Sequence, residues 1–335
     1  MKRRSFLSTA ASSGFGGILA YGCASSSKTA IPEPMRFDIH PFIREHPDVV
    51  FVHFTGVSSR TDSPAMHRAA ESLARDVIVR TFGTGFPTST PVLIKPDWSC
   101  ADPKEGSSST GHGGITDSSF VGGWVGGMRG AGPSDFSIRE SSLPSMWENM
   151  GLDTLCARAN IDLRDLSGRN IWELKEGREV IFRKPVDGVV YREVAFMAPA
   201  AAEGTFLVNI AKLKSGVTGI SGAASNLRGL CTRRFNEPLT PHAEIRVRYE
   251  PKYLTWFHSD FEKRIEDLYA KHVKAGIPRW DRPGPGGGIL MEAWAQRTID
   301  TVTAIPAALH MVEGIYSRDG RSEERRVGKE CRSRW

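Results

Sequence analysis

The chain has 335 residues, 40% of them hydrophobic and 24% charged, with a formal net charge of +6. The charge sits at the two ends: Lys2, Arg3 and Arg4 supply half of it and residues 321–335 the other half, so the interior is neutral. The basic balance therefore gives no footing for nucleic-acid binding, and that class of partner is excluded from the reading.

Residues 1–23 read as an export signal. Lys2-Arg3-Arg4-Ser5-Phe6-Leu7 carries the paired arginines and following Phe-Leu of a twin-arginine signal, and a mildly apolar run over 10–20 follows. That run is too short for a transmembrane helix. Gly22-Cys23-Ala24-Ser25 resembles a lipoprotein cleavage site, with Cys23 as the lipidation candidate. The expected partner at this end is the twin-arginine export machinery, the expected location is the periplasm, and a lipid on Cys23 would be the one link to a membrane. At the other end, residues 321–335 resemble the in-frame translation of a sequencing adapter. The expectation is an artefactual tail, with the natural chain continuing past Gly320.

Without the ends, three cysteines remain, Cys100, Cys156 and Cys231. They are widely spaced and form no Cys-x-x-Cys, so neither a ferredoxin-type cluster motif nor a zinc knuckle is present. Each reads as a small buried hydrophobe.

In chain order, residues 24–46 are rich in Ser, Pro and charge and read as a linker or irregular arm, and residues 47–320 as one α/β domain. Residues 49–54, Val-Val-Phe-Val-His-Phe, form the first expected strand. Ser63-Pro64 starts a helix, with Ser63 as its cap; Met66, Ala70, Leu73 and Val77 repeat at helical spacing and Gly83 stops it. Residues 91–94 are the next strand, which completes a β-α-β pattern and implies parallel strands.

Residues 111–117 read as a glycine-rich loop entering a helix whose Phe120, Trp124 and Met128 share one face. Glycines between them weaken that helix by about 1 kcal/mol each, so close packing or ligand approach is their expected purpose. No Gly-Lys-Ser/Thr closes the loop, which excludes a phosphate-binding Walker loop. Residues 180–182 and 189–191 flank Pro185-Val186-Asp187-Gly188 as a hairpin in a smaller antiparallel or mixed element. Ser259-Asp260-Phe261-Glu262 is a capping box before a helix carrying Phe261, Ile265, Leu268 and His272 on one face and ending at Gly276. A last helix over 289–303 and a last strand over 309–312 follow. The fold class is an open, mostly parallel α/β sheet with helices on both faces.

Residues 205–230 are the most informative stretch. An apolar run, Phe206-Leu207-Val208-Asn209-Ile210, leads into Lys212 and Lys214, then into small residues and glycines, then Asn226 and Arg228. A strand ending in cations and a glycine-rich turn is a way to build an anion site. Three strands end alike, with Lys95 and Asp97, with Lys212 and Lys214, and with Glu313. In an open α/β sheet ligands sit outside the carboxyl ends of the strands, so these residues are expected at one edge, with the loop of His112, Thr116 and Asp117 over them.

Val92-Leu93-Ile94-Lys95-Pro96-Asp97-Trp98, Ile115-Thr116-Asp117, the strand with Lys212-Leu213-Lys214-Ser215, Val217-Thr218-Gly219, Asn226-Leu227-Arg228-Gly229 and Val312-Glu313-Gly314 occur in this order. Together they resemble the domain-of-unknown-function 362 family over roughly residues 45 to 320. The resemblance implies export by the twin-arginine route and, for some members, an appended iron–sulfur module. The chain departs from the pattern at Gly216, where a histidine is common, at Ser225, where a lysine is common, and in lacking the cluster motif.

Two functions follow from these residues. One is a metal- or cofactor-dependent, redox-associated enzyme acting on a small anionic molecule. In it Lys95, Lys214 and Glu313 are the catalytic candidates, and Lys212, Thr218, Asn226, Arg228 and Thr116 the substrate-binding ones. Asp97, His112 and Asp117 are the metal candidates, the cofactor being a metal ion or an iron–sulfur cluster. The alternative is a non-catalytic exported anion-binding protein, which needs the same lysines and glycines and no tuned acid–base pair.

Overall fold

The computed structural model describes residues 33–59, 61–98, 114–141, 147–148, 151–165, 169–216, 219–232, 235, 251–278, 281, 288–319 and 323–325. The export signal with Cys23, and Cys100, His112 and Thr218, lie outside them.

The first elements correct the sequence reading. Strand β1 (Met35–Ile39) and a single-turn helix α1 (Pro41–Arg44) fall inside the stretch read as a linker. Alternation is the reason: Phe37 is fully buried, with its ring 5.7 Å from that of Phe86 and 5.2 Å from that of Phe206. Residues 49–54, expected as the first strand, are exposed and join no strand among the described residues.

Helix α2 (Ser63–Val77) is capped one residue earlier than expected, by Asp62, whose side chain accepts from Ala65 N at 2.9 Å. It passes at Val77 directly into β2 (Ile78–Phe82), because the β-branched run Val77-Ile78-Val79 favours extended backbone. Gly83, expected to stop the helix, instead follows β2 with φ 76°. With β3 (Phe86–Pro87) these strands form a separate antiparallel sheet, ordered β2-β1-β3. The expected β-α-β unit over 49–94 is therefore not formed.

The main sheet begins at β4 (Val92–Pro96), all of it buried, and continues through α3 (Ser118–Ala131), β5 (Phe136–Arg139), α4 (Leu152–Arg158) and β6 (Ile161–Arg164). A two-stranded antiparallel sheet follows, β7 (Val180–Arg183) with β8 (Val194–Met197). The small antiparallel element is as expected, but its second strand is not residues 189–191. The N–H groups of Val189, Val190 and Tyr191 donate to the buried carboxylate of Asp300 at 2.9, 2.8 and 2.8 Å, so they are not available to a ladder.

β9 (Phe206–Gly216) runs well past the apolar segment and folds back as β10 (Gly219–Ser221). After it come α5 (Ala223–Asn226), a 3-10 turn over Leu227–Leu230, α6 (Phe261–Lys274) and α7 (Gly288–Ala304). Asp260 starts α6 without capping it; its carboxylate pairs with Arg264 at 3.0 Å, so the expected capping box is not made. β11 (Leu309–Asp319) extends beyond the expected strand and pairs antiparallel with β12 (Glu323–Arg325).

The large sheet has the order β12-β11-β9-β4-β5-β6, and β11, β9, β4, β5 and β6 are mutually parallel. Helices α2, α3 and α4 cover one face through Ala70, Trp124, Met128 and Leu152. The small sheet with α6 and α7 covers the other through Val180, Phe196, Ile265 and Ala293. The fold is thus the expected α/β sandwich with helices on both faces. Its glycine-rich helix is explained by packing. A Cβ on Gly123 would collide with the backbone carbonyl of His67, and one on Gly127 would stand 2.5 Å from that of Glu71, so glycine is what lets α3 lie against α2.

One topological feature positions the site. From β4 the chain steps outward to β5 and β6, then returns to the opposite side of β4 for β9 and β11. That reversal makes the carboxyl ends of β4 and β9 a topological switch point, the place where α/β sheets receive ligands.

Candidate functional site at the strand ends

Lys95, Asp97, Thr116, Asp117, Lys212, Lys214, Asn226 and Glu313, all predicted site residues, converge on these strand ends from two faces of the sheet. Lys95 lies in register with Asn209, and Lys212 with Glu313. Side chains alternate along a strand, so Lys95 projects on the α5 and α7 side and Lys212 with Glu313 on the α3 side.

On the first side Lys95 Nζ donates to Glu140 Oε2 at 2.5 Å, to Pro96 O at 2.7 Å and to Asn226 Oδ1 at 3.0 Å. Asn226 Nδ2 in turn donates to Lys95 O at 3.0 Å and to Asn209 Oδ1 at 2.8 Å. Glu140 also accepts from Trp98 N at 3.0 Å and Ser141 N at 2.9 Å. Both members of the ion pair are wholly buried. Burial pushes the Glu140 carboxyl above the usual range, against the pull of Lys95. Gly229 roofs the pair: a Cβ there would stand 2.6 Å from Lys95 Cε.

On the second side Lys212 is ion-paired with Glu313, whose other oxygen accepts from Ile315 N at 2.9 Å. Asp117 ends the loop before α3 and caps that helix, accepting from Ser119 N at 2.8 Å and Phe120 N at 3.2 Å. Burial raises the Asp117 carboxyl above its ordinary value of 3.8, and the neighbouring Glu313 charge raises it further; the two helix N–H groups and Lys212 oppose the rise.

Between the two faces, Lys214 Nζ donates to Asp97 Oδ1 and to Gly114 O, both at 2.9 Å. Thr116 fastens the loop across the strand ends. Its hydroxyl accepts from Asp97 N at 2.9 Å and donates to Ile210 O at 2.8 Å, which ties the end of β4 to β9. Its expected substrate-binding hydroxyl is therefore engaged in holding the strands.

Arg228 is also buried, with its guanidinium over the Trp294 ring of α7, 3.5 Å from the centroid. Thr218 and His112 lie outside the described residues. Of the metal candidates, Asp97 is paired with Lys214 and Asp117 with the helix start. Among the described residues no three His, Cys, Asp or Glu side chains come together as a metal site. Cys156 and Cys231 belong to the cores on opposite faces, and burial holds their thiols up at about 12 and about 11. Buried, protonated thiols this far apart do not fit an iron–sulfur cluster.

Two members of the site were missed in the sequence, Glu140 and Asn209. Glu140 had a readable signal, since Phe136-Ser137-Ile138-Arg139 is a short alternating strand with a charged residue at its end, like the other three. Asn209 sits inside an apolar run and gave none.

The family described as Domain of unknown function (DUF362) matches residues 92–329, most of the chain and every strand of the large sheet. The chain belongs to that family. No curated protein and no solved structure gives a match to it.

Proposed function

We propose that the chain is an enzyme that works at the carboxyl ends of β4 and β9 and moves a proton on a small acidic substrate. The supporting observation is the charge arrangement there. Three lysines, Lys95, Lys212 and Lys214, face four carboxyl groups, those of Asp97, Asp117, Glu140 and Glu313. A module that only captured an anion would gain from bare cations; here each lysine is already paired. Buried ion pairs are a poor source of stability, and groups with displaced proton affinity cluster where chemistry is done. Asp117, whose proton affinity is raised by burial and by the neighbouring Glu313 charge, is such a group, and Lys212 pairs with Glu313 beside it.

In this reading the Glu313 carboxylate, its charge balanced by Lys212, takes a proton from one atom of the substrate, and protonated Asp117 delivers its own to another, so the two acids exchange protonation states over one turnover. Lys214 is the most open of the three lysines, with 14% of its side chain exposed. It receives the substrate carboxylate or phosphate in place of Asp97, and the buried Lys95–Glu140 pair holds the ends of the strands. The described side chains do not by themselves complete a metal or cluster site, so no step passes through one. The leader and the lipoprotein-like Cys23 support a folded protein exported by the twin-arginine route to the periplasm or its membrane surface. Among the described residues no helix is long and apolar enough to cross a membrane.

The test is proton exchange. The protein and its Asp117→Asn variant are incubated in D2O with a panel of small carboxylic acids and phosphate esters, and deuterium incorporation is followed by mass spectrometry. Incorporation by the wild type that is abolished in the Asp117→Asn variant is expected. Ligands that raise the melting temperature equally in both proteins, with no exchange in either, would make the chain a binding protein instead.

A further inference from the structure

Residues 49–54 hold the strongest strand signal in the chain, yet among the described residues no strand pairs with them. Among the described residues, the N–H and C=O groups of residues 50–54 make no hydrogen bond. The side chains still alternate as in a strand. Val50, Val52 and Phe54 are 85%, 70% and 89% exposed, whereas Val49 and Phe51 are 47% and 43% exposed, Phe51 leaning on Phe42 with ring centroids 5.7 Å apart. An extended, uncharged segment rich in β-branched and aromatic residues, with its backbone unpaired, is a template for another strand.

We propose that this segment is a dimerisation strand, which pairs antiparallel with the same segment of a second copy of the chain. Two arguments select that occupant. A lipid surface would cover the apolar side chains but could not bond the backbone groups, whereas a partner strand bonds those of alternate residues along the segment. A second copy also meets the segment without electrostatic penalty: residues 49–54 carry no acid, lysine or arginine.

The geometry fixes the register. Residues opposite one another in an antiparallel pair share a face, and the register that keeps residues 50–54 of both copies within the pair places Val52 on the twofold axis. Val52 then faces Val52, Val50 faces Phe54, and Phe51 faces His53, which are the aliphatic and aromatic pairings that stabilise strands. Asp48 meets Gly56, so over residues 48–56 no like charges oppose. This surface is separate from the strand-end site: β1 and α1, which precede it, pack through Phe37 on Phe206, the first residue of β9 and so the end of that strand remote from Lys212 and Lys214.

Cysteine scanning tests it in the whole chain. Opposed residues in an antiparallel pair have Cα atoms about 4.5–5.5 Å apart, within disulfide range. Val52→Cys is therefore expected to give a covalent dimer under mild oxidation, above the level that the native cysteines give in the wild type. Phe54→Cys alone should not, because it faces Val50, and Val50→Cys with Phe54→Cys should. In sedimentation the wild type is expected to dimerise with concentration and Val52→Lys to remain monomeric at an unchanged melting temperature. A monomeric wild type with Val52→Cys no more cross-linked than the wild type overturns the proposal. So does equal cross-linking of Val52→Cys and Phe54→Cys, or a monomer that instead binds phospholipid vesicles through these residues.

Discussion

Replacing Lys95 by Met while leaving Glu140 in place asks the strand-end site its most direct energetic question. Both charges are fully buried, and Lys95 Nζ satisfies three acceptors. Met fills most of the volume but leaves a carboxyl with only the Trp98 and Ser141 N–H groups as donors. Breaking such a pair from one side costs about 3–5 kcal/mol. Glu140→Gln, which strands the ammonium between Pro96 O and Asn226 Oδ1, should cost a similar amount. The double variant removes both charges, and its cost should fall short of the sum of the two by about 2–3 kcal/mol. Urea unfolding followed by tryptophan fluorescence measures all three, with Trp98 beside the pair as a local reporter. Single costs that add to within about 0.5 kcal/mol would refute the coupling, and with it the picture of an ion pair holding the ends of β4 and β5 in place.

Two further measurements address the helix and the acid. In α3, Gly123→Ala should destabilise by about 1–3 kcal/mol, because the new methyl meets the His67 carbonyl. Gly126→Ala, in the same helix but facing open space, should stabilise by about 0.5–1 kcal/mol; equal signs in thermal melts would show that the α2–α3 contact is not backbone-close. For Asp117 the sign follows from its raised proton affinity. The folded state holds the proton more tightly than the unfolded chain, so this group's contribution to stability is best at low pH and is lost as pH rises from the ordinary value of 3.8 through the raised one. Asp117→Asn keeps a good helix cap and removes the titration. Its stability advantage over the wild type should therefore be present at neutral pH and shrink as pH falls towards 3.8, and a gap that widens on acidification would contradict the assignment.

The sequence by itself determined the α/β class, the strands at β4 and β9, the helix after Asp117 and the charged residues at three strand ends. These rest on local patterns: unbroken apolar runs for buried parallel strands, helical spacing of Phe120, Trp124 and Met128, and a change to Lys, Asp or Glu where a strand leaves the core. What it could not contain was partnership. The strongest local strand signal, residues 49–54, found no ladder among the described residues, while the weaker alternation of Met35–Ile39 did, because pairing depends on what lies alongside and not on propensity. Lys95 and Glu140 are 45 positions apart and Lys212 and Glu313 are 101 apart, so only the strand order, which reverses at β4, decided that each lysine meets a carboxylate. The same order decided the chemistry of the strand ends. A row of cations in the sequence became a set of buried ion pairs with an acid to spare, since charges taken out of water are held only where an opposite charge is brought to them.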